Sequence, residues 1–277
     1  MGGVGEGVAA AVRPAPSGEV LTSVVFVRGV LPLVKVVVAE REELRRAFRG
    51  REGIVQVSVV TPEGVQAVHY VVSGGGLEVC LEVCEAPDVE LAFGSLAHFN
   101  GFFKGRTKRL PRVRGVWSLR RLGLFVAFMR ALLALSALLG AQGPPRDEAT
   151  KALVVRLYFG LLSSGISGLN RAGHPEIARW AARSPDRVYA WSVDGHPEVA
   201  AYVRVKAGRT KAARGLYRRS KPFFTLRFDS LDSALGILLG TDDMLESTAA
   251  GKLIMEGAPE FGAQIGGFMV AVGEYAK

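Results

Sequence analysis

The chain has 277 residues, of which 49% are hydrophobic and 22% are charged. These values are typical of packed globular protein, and the length corresponds to about two domains. A net charge of +9 favours anionic partners such as phosphate head groups, nucleotides or nucleic acid, without choosing between them. Two cysteines cannot form a disulfide framework, so we expect a reducing, cytoplasmic location.

The first sixteen residues are rich in Gly, Ala and Pro. They lack the basic start and the continuous apolar run of a signal peptide, so we expect a disordered lead-in over residues 1–16. Gly3, Gly5 and Gly7 follow no predicted strand, which argues against a nucleotide loop. No cofactor is predicted.

The sequence matches itself at an offset of 135 residues, and this is the strongest evidence for its organisation. Matched positions lie mostly at turns and at the starts of helices. They pair Pro62 with Pro197, Glu63 with Glu198, Val68 with Val203, Pro87 with Pro222, Leu91 with Leu226, Phe93 with Phe228, Ser95 with Ser230, Leu96 with Leu231, Gly101 with Gly236, and Gly105 with Gly240. We therefore predict two tandem units, residues 17–143 and 144–277, with Pro144 and Pro145 in the linker.

Hydrophobic periodicity and turn residues predict the elements of the first unit in chain order. A helix over 40–49 precedes strands at 54–60, 65–72, 77–83 and 89–93. Ser95 is a suitable N-cap for a helix that runs to about residue 104. A fifth strand is predicted at 115–121, before an apolar helix over 122–139.

The second unit has the same predicted order. Helices over 148–169 and 175–183 precede strands at 188–193, 199–205, 211–218 and 223–228. A helix over 230–239, a strand at 252–256 and a helix over 260–274 complete the unit. The counterpart of the first of these helices, residues 20–38, contains too many valines to be assigned by pattern.

The apolar segment 122–139 is long enough to span a bilayer. Arg130 at its centre makes the insertion energy marginal. On a helix, small residues near Gly123 and Ala134 fall on one face, and bulky residues such as Phe128 and Leu135 fall on another. This pattern favours a packed or lid-like helix over a transmembrane one.

In the second unit, Phe224 to Leu231, the helix ending at Gly240 and the segment Gly251 to Gly257 resemble the C-terminal half of the sterol carrier protein 2 family. The shared order is a strand, a capped helix, a strand bounded by glycines and a lid helix. The first unit resembles the family less closely, through residues 89–105 and 115–139. It departs from the pattern where eight basic residues over 104–121 replace the acidic turn 241–243.

This resemblance implies an α+β fold of two tandem sterol-carrier-protein-like units. Each would be a five-stranded, mostly antiparallel sheet with helices covering one face. Between sheet and helices it implies an apolar tunnel that accepts a fatty acyl chain, acyl-CoA or a sterol-like lipid. We expect this tunnel to be lined by Phe93, Phe99, Phe102, Phe103, Trp117, Phe128, Phe223, Phe228, Leu235, Leu238, Met244, Phe261, Ile265 and Met269, although each of them would also suit an ordinary core.

Arg204 and Lys206 share one face of a predicted strand, as a site for phosphate or anionic lipid requires. With Arg209 and Lys211 they form the candidate site for an anionic head group, and a solvated basic surface is the alternative. Aromatic residues are not interleaved with these cations, which disfavours nucleic acid as the partner.

No catalytic or metal site is predicted. Cys80 and Cys84 would lie about 13 Å apart along one strand, too far apart for a disulfide. The four histidines occur singly, and Asp229 and Asp232 suit helix capping. His98, on the helix after Ser95, could point towards the tunnel mouth.

These observations favour non-catalytic binding or transfer of an apolar lipid. The alternatives are an enzyme that uses His98 or an aspartate on a hydrophobic substrate, and a scaffold on an anionic membrane surface. Pairing with a second copy of the chain remains open.

Overall fold

The computed structural model describes residues 15–277. The predicted disordered lead-in lies almost entirely outside the described residues. At its end, the side chain of Ser17 caps the first helix by accepting a hydrogen bond from the Val20 amide.

The first sheet contains five strands: β1 (Gly53–Thr61), β2 (Gly64–Ser73), β3 (Gly76–Cys80), β4 (Val89–Phe93) and β5 (Arg112–Arg114). Their spatial order is β3-β2-β1-β4-β5. β1 and β4 are parallel, and the other neighbours are antiparallel.

The second sheet contains β6 (Arg187–Val193), β7 (Ala201–Lys206), β8 (Arg209–Arg214), β9 (Phe224–Phe228) and β10 (Leu253–Glu256). Its order, β8-β7-β6-β9-β10, repeats the first sheet strand for strand, with β6 and β9 as the parallel pair. The α+β class with two five-stranded, mostly antiparallel sheets is confirmed. The domain boundary between residues 143 and 144 stays a prediction.

The helices follow a similar order in each unit, with one exception. The first unit has α1 (Gly18–Val25), α2 (Val34–Glu40), α3 (Glu42–Phe48), α4 (Leu96–Phe103) and α5 (Leu119–Leu139). The second has α6 (Glu148–Ala172), α7 (Pro175–Arg183), α8 (Leu231–Leu239), α9 (Met244–Ala249) and α10 (Pro259–Ala276). The short α9 between α8 and β10 has no counterpart between α4 and β5. A π-helical turn (Phe26–Val30) and a 3-10 turn (Leu31–Leu33) connect α1 and α2, so the valine-rich segment is one long irregular helix. A short 3-10 turn (Pro197–Val199) lies between β6 and β7.

The helices α4 and α8 show how closely the two units agree. Ser95 and Ser230 cap them with side-chain oxygens that accept hydrogen bonds from the amides three residues later. At the other end, the carbonyl of Gly101 accepts from the Arg106 and Thr107 amides, and that of Gly236 accepts from the Thr241 and Asp242 amides. The 135-residue offset therefore holds through these helices and their caps.

The predicted strand at 115–121 is wrong. β5 ends at Arg114 because Gly115 has a φ of 86°, in the left-handed region that breaks an extended strand. Ser118 then accepts a hydrogen bond from the Arg121 amide and starts α5. Strand β8 likewise ends at Arg214, before Gly215 with a φ of 86°, and not at residue 218.

A layer of helices joins the two units. The segment Gly18–Glu40 packs against α6, and both are buried on most sides. Small residues allow the close approach of this segment to α6, since a Cβ on Gly29 would lie 3.7 Å from the Gly165 Cα. Within the second unit, α6 also packs closely on α10, where a Cβ on Gly165 would lie 2.6 Å from Cγ1 of Val272. Polar contacts cross the boundary between the two units, since the Tyr158 hydroxyl donates to the Leu139 carbonyl at 2.8 Å. One hydrophobic cluster consequently runs through both units.

Among residues 15–277, three helices are long and apolar enough to cross a membrane by length and composition: Gly18–Glu40, Leu119–Leu139 and Glu148–Ala172. The most apolar windows of the first and third are 72% and 78% buried within the protein, whereas that of α5 is only 28% buried. The predicted division of α5 into a face of small residues and a face of bulky residues does not match the division between its buried and exposed faces. Ala127 and Ala131 lie on the buried face together with Phe128 and Leu135, and Arg130 is exposed.

Candidate ligand-binding cleft

In the second unit, an open cleft of about 630 Å³ lies between α7 and α10, beside the start of β6. The volume is in the range of small-molecule sites, about 300–1,000 Å³. Both aromatic and charged side chains face it. The lining residues are Glu176, Arg179, Trp180, Arg183, Ser184, Arg187, Tyr189, Phe261, Ala263, Gln264, Gly267 and Phe268.

Helix α7 forms one wall because its sequence has a buried and a charged side. Pro175 occupies the first turn, where its missing N–H costs nothing, and Glu176 suits the positive end of the helix dipole. Ile177, Trp180 and Ala181 are buried. Arg179 and Arg183, one turn apart, are exposed at the edge of the cleft.

The floor of the cleft is aromatic. The Trp180 ring centroid lies 5.2 Å from that of Tyr189 and 5.1 Å from that of Phe268, in edge-to-face arrangements. Trp180 Nε1 and the Tyr189 hydroxyl are buried, and neither has a hydrogen-bond partner within residues 15–277. An unpartnered buried polar group costs about 1–3 kcal/mol, and both atoms are closed off from the cleft in this conformation.

The rim of the cleft is cationic. Among the described residues, Arg179, Arg183 and Arg187 form no ion pair. The Arg187 guanidinium carbon lies 3.8 Å from the centroid of Phe223 and 5.2 Å from that of Phe261. These cation–π contacts hold the charge at the cleft without neutralising it.

A second pocket, of about 490 Å³, shares Arg187 with the cleft and is also lined by Phe223. Arg204, one of the predicted head-group residues, lines it, but its Nε and Nη2 atoms donate hydrogen bonds to Asp186, at 2.8 and 2.6 Å. The hydrogen bonds from Arg204 lower the pKa of Asp186 to about 2. Lys206 also contacts Asp186, at 3.5 Å. The positive charge predicted for this strand is therefore partly compensated.

Arg209 and Lys211 are exposed on β8, opposite Lys206 and Arg204 in the β7–β8 ladder. They line neither the cleft nor the second pocket. Their role as a head-group site stays a prediction.

The equivalent corner of the first unit has a different chemistry. Gly53 in the first unit and Arg187 in the second each begin the first strand of their sheet. Asp88 and Phe223 each come directly before the strand that runs parallel to it. Arg121 and Phe261 are each the third residue of the last helix of their unit. In the first unit, Arg121 pairs with Asp88 at 3.1 Å, and Asp88 accepts a hydrogen bond from the Ile54 amide at 2.8 Å. Gly53 leaves room for this carboxylate, since a Cβ there would lie 2.7 Å from its Oδ2.

The pocket at this corner of the first unit holds about 360 Å³ and is lined mainly by charged and polar residues. Its cations already have carboxylate partners, Arg121 with Asp88 and Arg120 with Glu52. The cleft of the second unit is larger, and the three arginines along it have none within the described part of the chain.

The structure disperses the residues predicted to line an apolar tunnel. Phe93, Phe99, Phe128, Phe228, Leu235 and Ile265 are buried in the core, and Met269 accepts a hydrogen bond from Trp191 there. Phe102, Phe103, Leu238 and Met244 pack against the core and are partly buried. Phe261 lines the cleft, and Phe223 lines the neighbouring pocket. Trp117 is 81% exposed on the surface, because it follows Gly115 in the loop before α5. Their assignment to a ligand site stays a prediction.

His98 lies on α4, far along the chain from the cleft, and its Nε2 contacts the Arg109 carbonyl at 3.0 Å. Cys80 and Cys84 are free thiols; β3 ends at Cys80, so the two do not share a strand. Within residues 15–277 there is no group of three or more His, Cys, Asp or Glu side chains that could hold a metal ion.

No family model matches the sequence, and no curated protein matches it. Among solved structures, the chain is similar to a conserved hypothetical protein from Thermus thermophilus, described as a possible sterol carrier protein. The two share 17% identity over 38% of this chain and 80% of that one, with a TM-score of 0.28. A similarity this low supports no inference about the fold or the ligand of this chain.

Sequence reasoning missed Arg179, Trp180, Arg183, Arg187 and Tyr189 as site residues. The helix 175–183 was predicted with the correct ends, and its spacing places Arg179 and Arg183 on one face. What the pattern could not supply is the gap between α7 and α10, which is a property of tertiary packing.

Proposed function

We propose that the chain binds an amphipathic lipid with an anionic group, with its apolar part on the aromatic floor and its charge at the rim of the α7–α10 cleft. The observation that carries this proposal is the combination, around one cleft of the described chain, of three arginines without carboxylate partners and an aromatic floor. Guanidinium groups suit carboxylate and phosphate oxygens, which they bind through paired hydrogen bonds.

Among apolar lipids, the cationic rim favours a fatty acid or acyl-CoA over a neutral sterol. We propose that the protein binds and releases this lipid without catalysing a reaction. We also propose a cytoplasmic location, because free cysteines suit a reducing compartment. Transfer of the lipid between membranes is a further part of the same proposal.

Displacement of a fluorescent fatty acid from delipidated protein tests this proposal. Palmitate, palmitoyl-CoA, cholesterol and hexadecanol would serve as competitors, and hexadecanol has the chain of palmitate without its charge. We expect palmitate to compete at micromolar concentration. Arg187→Ala should weaken palmitate about tenfold, the usual scale for a lost hydrogen bond to a charge, and leave hexadecanol almost unchanged.

Arg219→Ala is the matched control, because Arg219 is an exposed arginine of the same unit outside the cleft lining. The proposal fails if none of the four ligands binds, or if Arg187→Ala and Arg219→Ala have equal effects on palmitate.

A further inference from the structure

The outward face of α5 is apolar although it faces solvent. Leu119, Leu122, Val126 and Leu133 are all exposed, with Leu119 and Leu133 at 87% and 65%. Their spacing of three, four and seven residues places them on one side of the helix, and we call them the α5 stripe. Arg130 falls on the same side, and its long side chain can extend towards a polar boundary while its stem lies on apolar surface.

The loop before α5 also exposes an apolar side chain. Trp117 lies two residues before Leu119 and is one of the most exposed large hydrophobic residues of the described chain, at 81%. Tryptophan is enriched where protein meets the boundary between lipid and water.

The segment between α4 and α5 supplies positive charge. Arg106, Lys108, Arg109 and Arg112 are exposed, and none of them forms an ion pair within the described residues. Residues 104–121 contain eight basic and no acidic side chains. Anionic lipid attracts such clusters over a distance of about a Debye length, roughly 8 Å at physiological ionic strength.

We propose that the α5 stripe and the basic segment before it form a docking surface for an anionic lipid bilayer, on which α5 lies parallel to the membrane plane. An exposed apolar stripe with flanking cations and a tryptophan is the combination that binds a helix to the boundary region of a bilayer. The charge favours this occupant over a second copy of the chain, because two such surfaces would bring their cations together. This surface lies in the first unit and is independent of the cleft.

Vesicle co-sedimentation of the full chain tests the docking surface. The two vesicle types are phosphatidylcholine alone and phosphatidylcholine with part replaced by phosphatidylglycerol. We expect binding only to the second type, weakening as salt is added. Leu122→Ser with Leu133→Ser should reduce binding at least about tenfold through lost apolar burial. Lys108→Gln with Arg112→Gln should reduce it on the order of tenfold.

The matched controls come from the second unit. Leu245→Ser with Val270→Ser removes two similarly exposed apolar side chains, and Arg218→Gln with Arg219→Gln removes two exposed cations. Both controls should bind vesicles like the natural protein. Circular dichroism would verify that every variant is folded.

Equal binding of the natural protein to both vesicle types would overturn the proposal. So would a stripe variant that is folded and binds as tightly as the natural protein. A dimer in analytical ultracentrifugation that the stripe variant abolishes, with no effect on vesicle binding, would assign the stripe to a second copy instead. The wild-type comparison of the two vesicle types does not depend on any variant folding.

Discussion

Asp186 accepts two hydrogen bonds from the Arg204 guanidinium, and this contact lowers the pKa of its carboxyl group from the ordinary 3.8 to about 2. The pair lies on the rim of the pocket next to the cleft. Because the folded-state pKa is depressed, the pair stabilises the protein above pH 3.8, and the stabilisation is lost as the pH falls towards 2.

We expect Arg204→Gln to return the pKa of Asp186 towards 3.8. An NMR titration of the Asp186 side-chain carboxyl would measure the change directly. Lys206→Gln should raise this pKa less, since Lys206 lies at 3.5 Å and makes a smaller contribution. A titration midpoint that stays near 2 in Arg204→Gln would contradict the assignment of the shift to this arginine.

Residue types in the sequence predict local contacts better than distant ones. Ser95 and Ser230 were predictable as helix caps, because the cap bonds an amide three residues away. The partners of Arg187 and Arg204 could not be predicted from the sequence. Whether a cation lies over a ring or beside a carboxylate depends on strands and helices that meet only in the folded chain.

At the level of elements, order and type follow from the sequence where turn residues punctuate clear periodicity. Strand β4 and helix α7 agree with the prediction at both ends. The segment Gly18–Glu40 could not be assigned because β-branched residues favour strands, yet burial on almost every side stabilises a helix there despite that preference. Tertiary packing decided its structure.

The close crossing of α6 with its neighbours makes Gly165 sensitive to volume. We expect Gly165→Leu to lower the free energy of unfolding by about 1–3 kcal/mol through overpacking against Val272. Gly273→Ala on α10 is the control; nothing lies within 4 Å of its Cβ position, so it should stabilise the helix by roughly 0.5–1 kcal/mol. Urea titration followed by circular dichroism measures both. Equal effects of the two substitutions would argue against the crossing.

At the level of the whole molecule, the helical layer makes the two units depend on each other. Their buried side chains form one cluster, which includes Phe128 of the first unit and Phe159 and Trp191 of the second. The internal repeat indicated two units, but it could not indicate that the helices Gly18–Glu40 and α6 would share their buried faces. An internal repeat in a sequence predicts that two units have similar folds, but it does not predict how the two units pack against each other.

We therefore expect the full chain to unfold in a single cooperative transition. Trp180 and Trp191 report on the second unit, and Trp117→Phe removes the exposed tryptophan of the first. In this variant, urea unfolding curves from tryptophan fluorescence and from far-ultraviolet circular dichroism should coincide. Two separate transitions would show that the helical layer does not couple the units.

The corners built by Gly53, Asp88 and Arg121 in one unit and by Arg187, Phe223 and Phe261 in the other occupy the same places in the same strand order. The two corners differ in their side chains but share the same arrangement of strands and helix. In terms of protein engineering, the first unit is thus a place to test whether the site proposed for the second unit can be transferred by substitution. The second unit supplies the template, and the ion pair of Asp88 with Arg121 marks the side chains to replace.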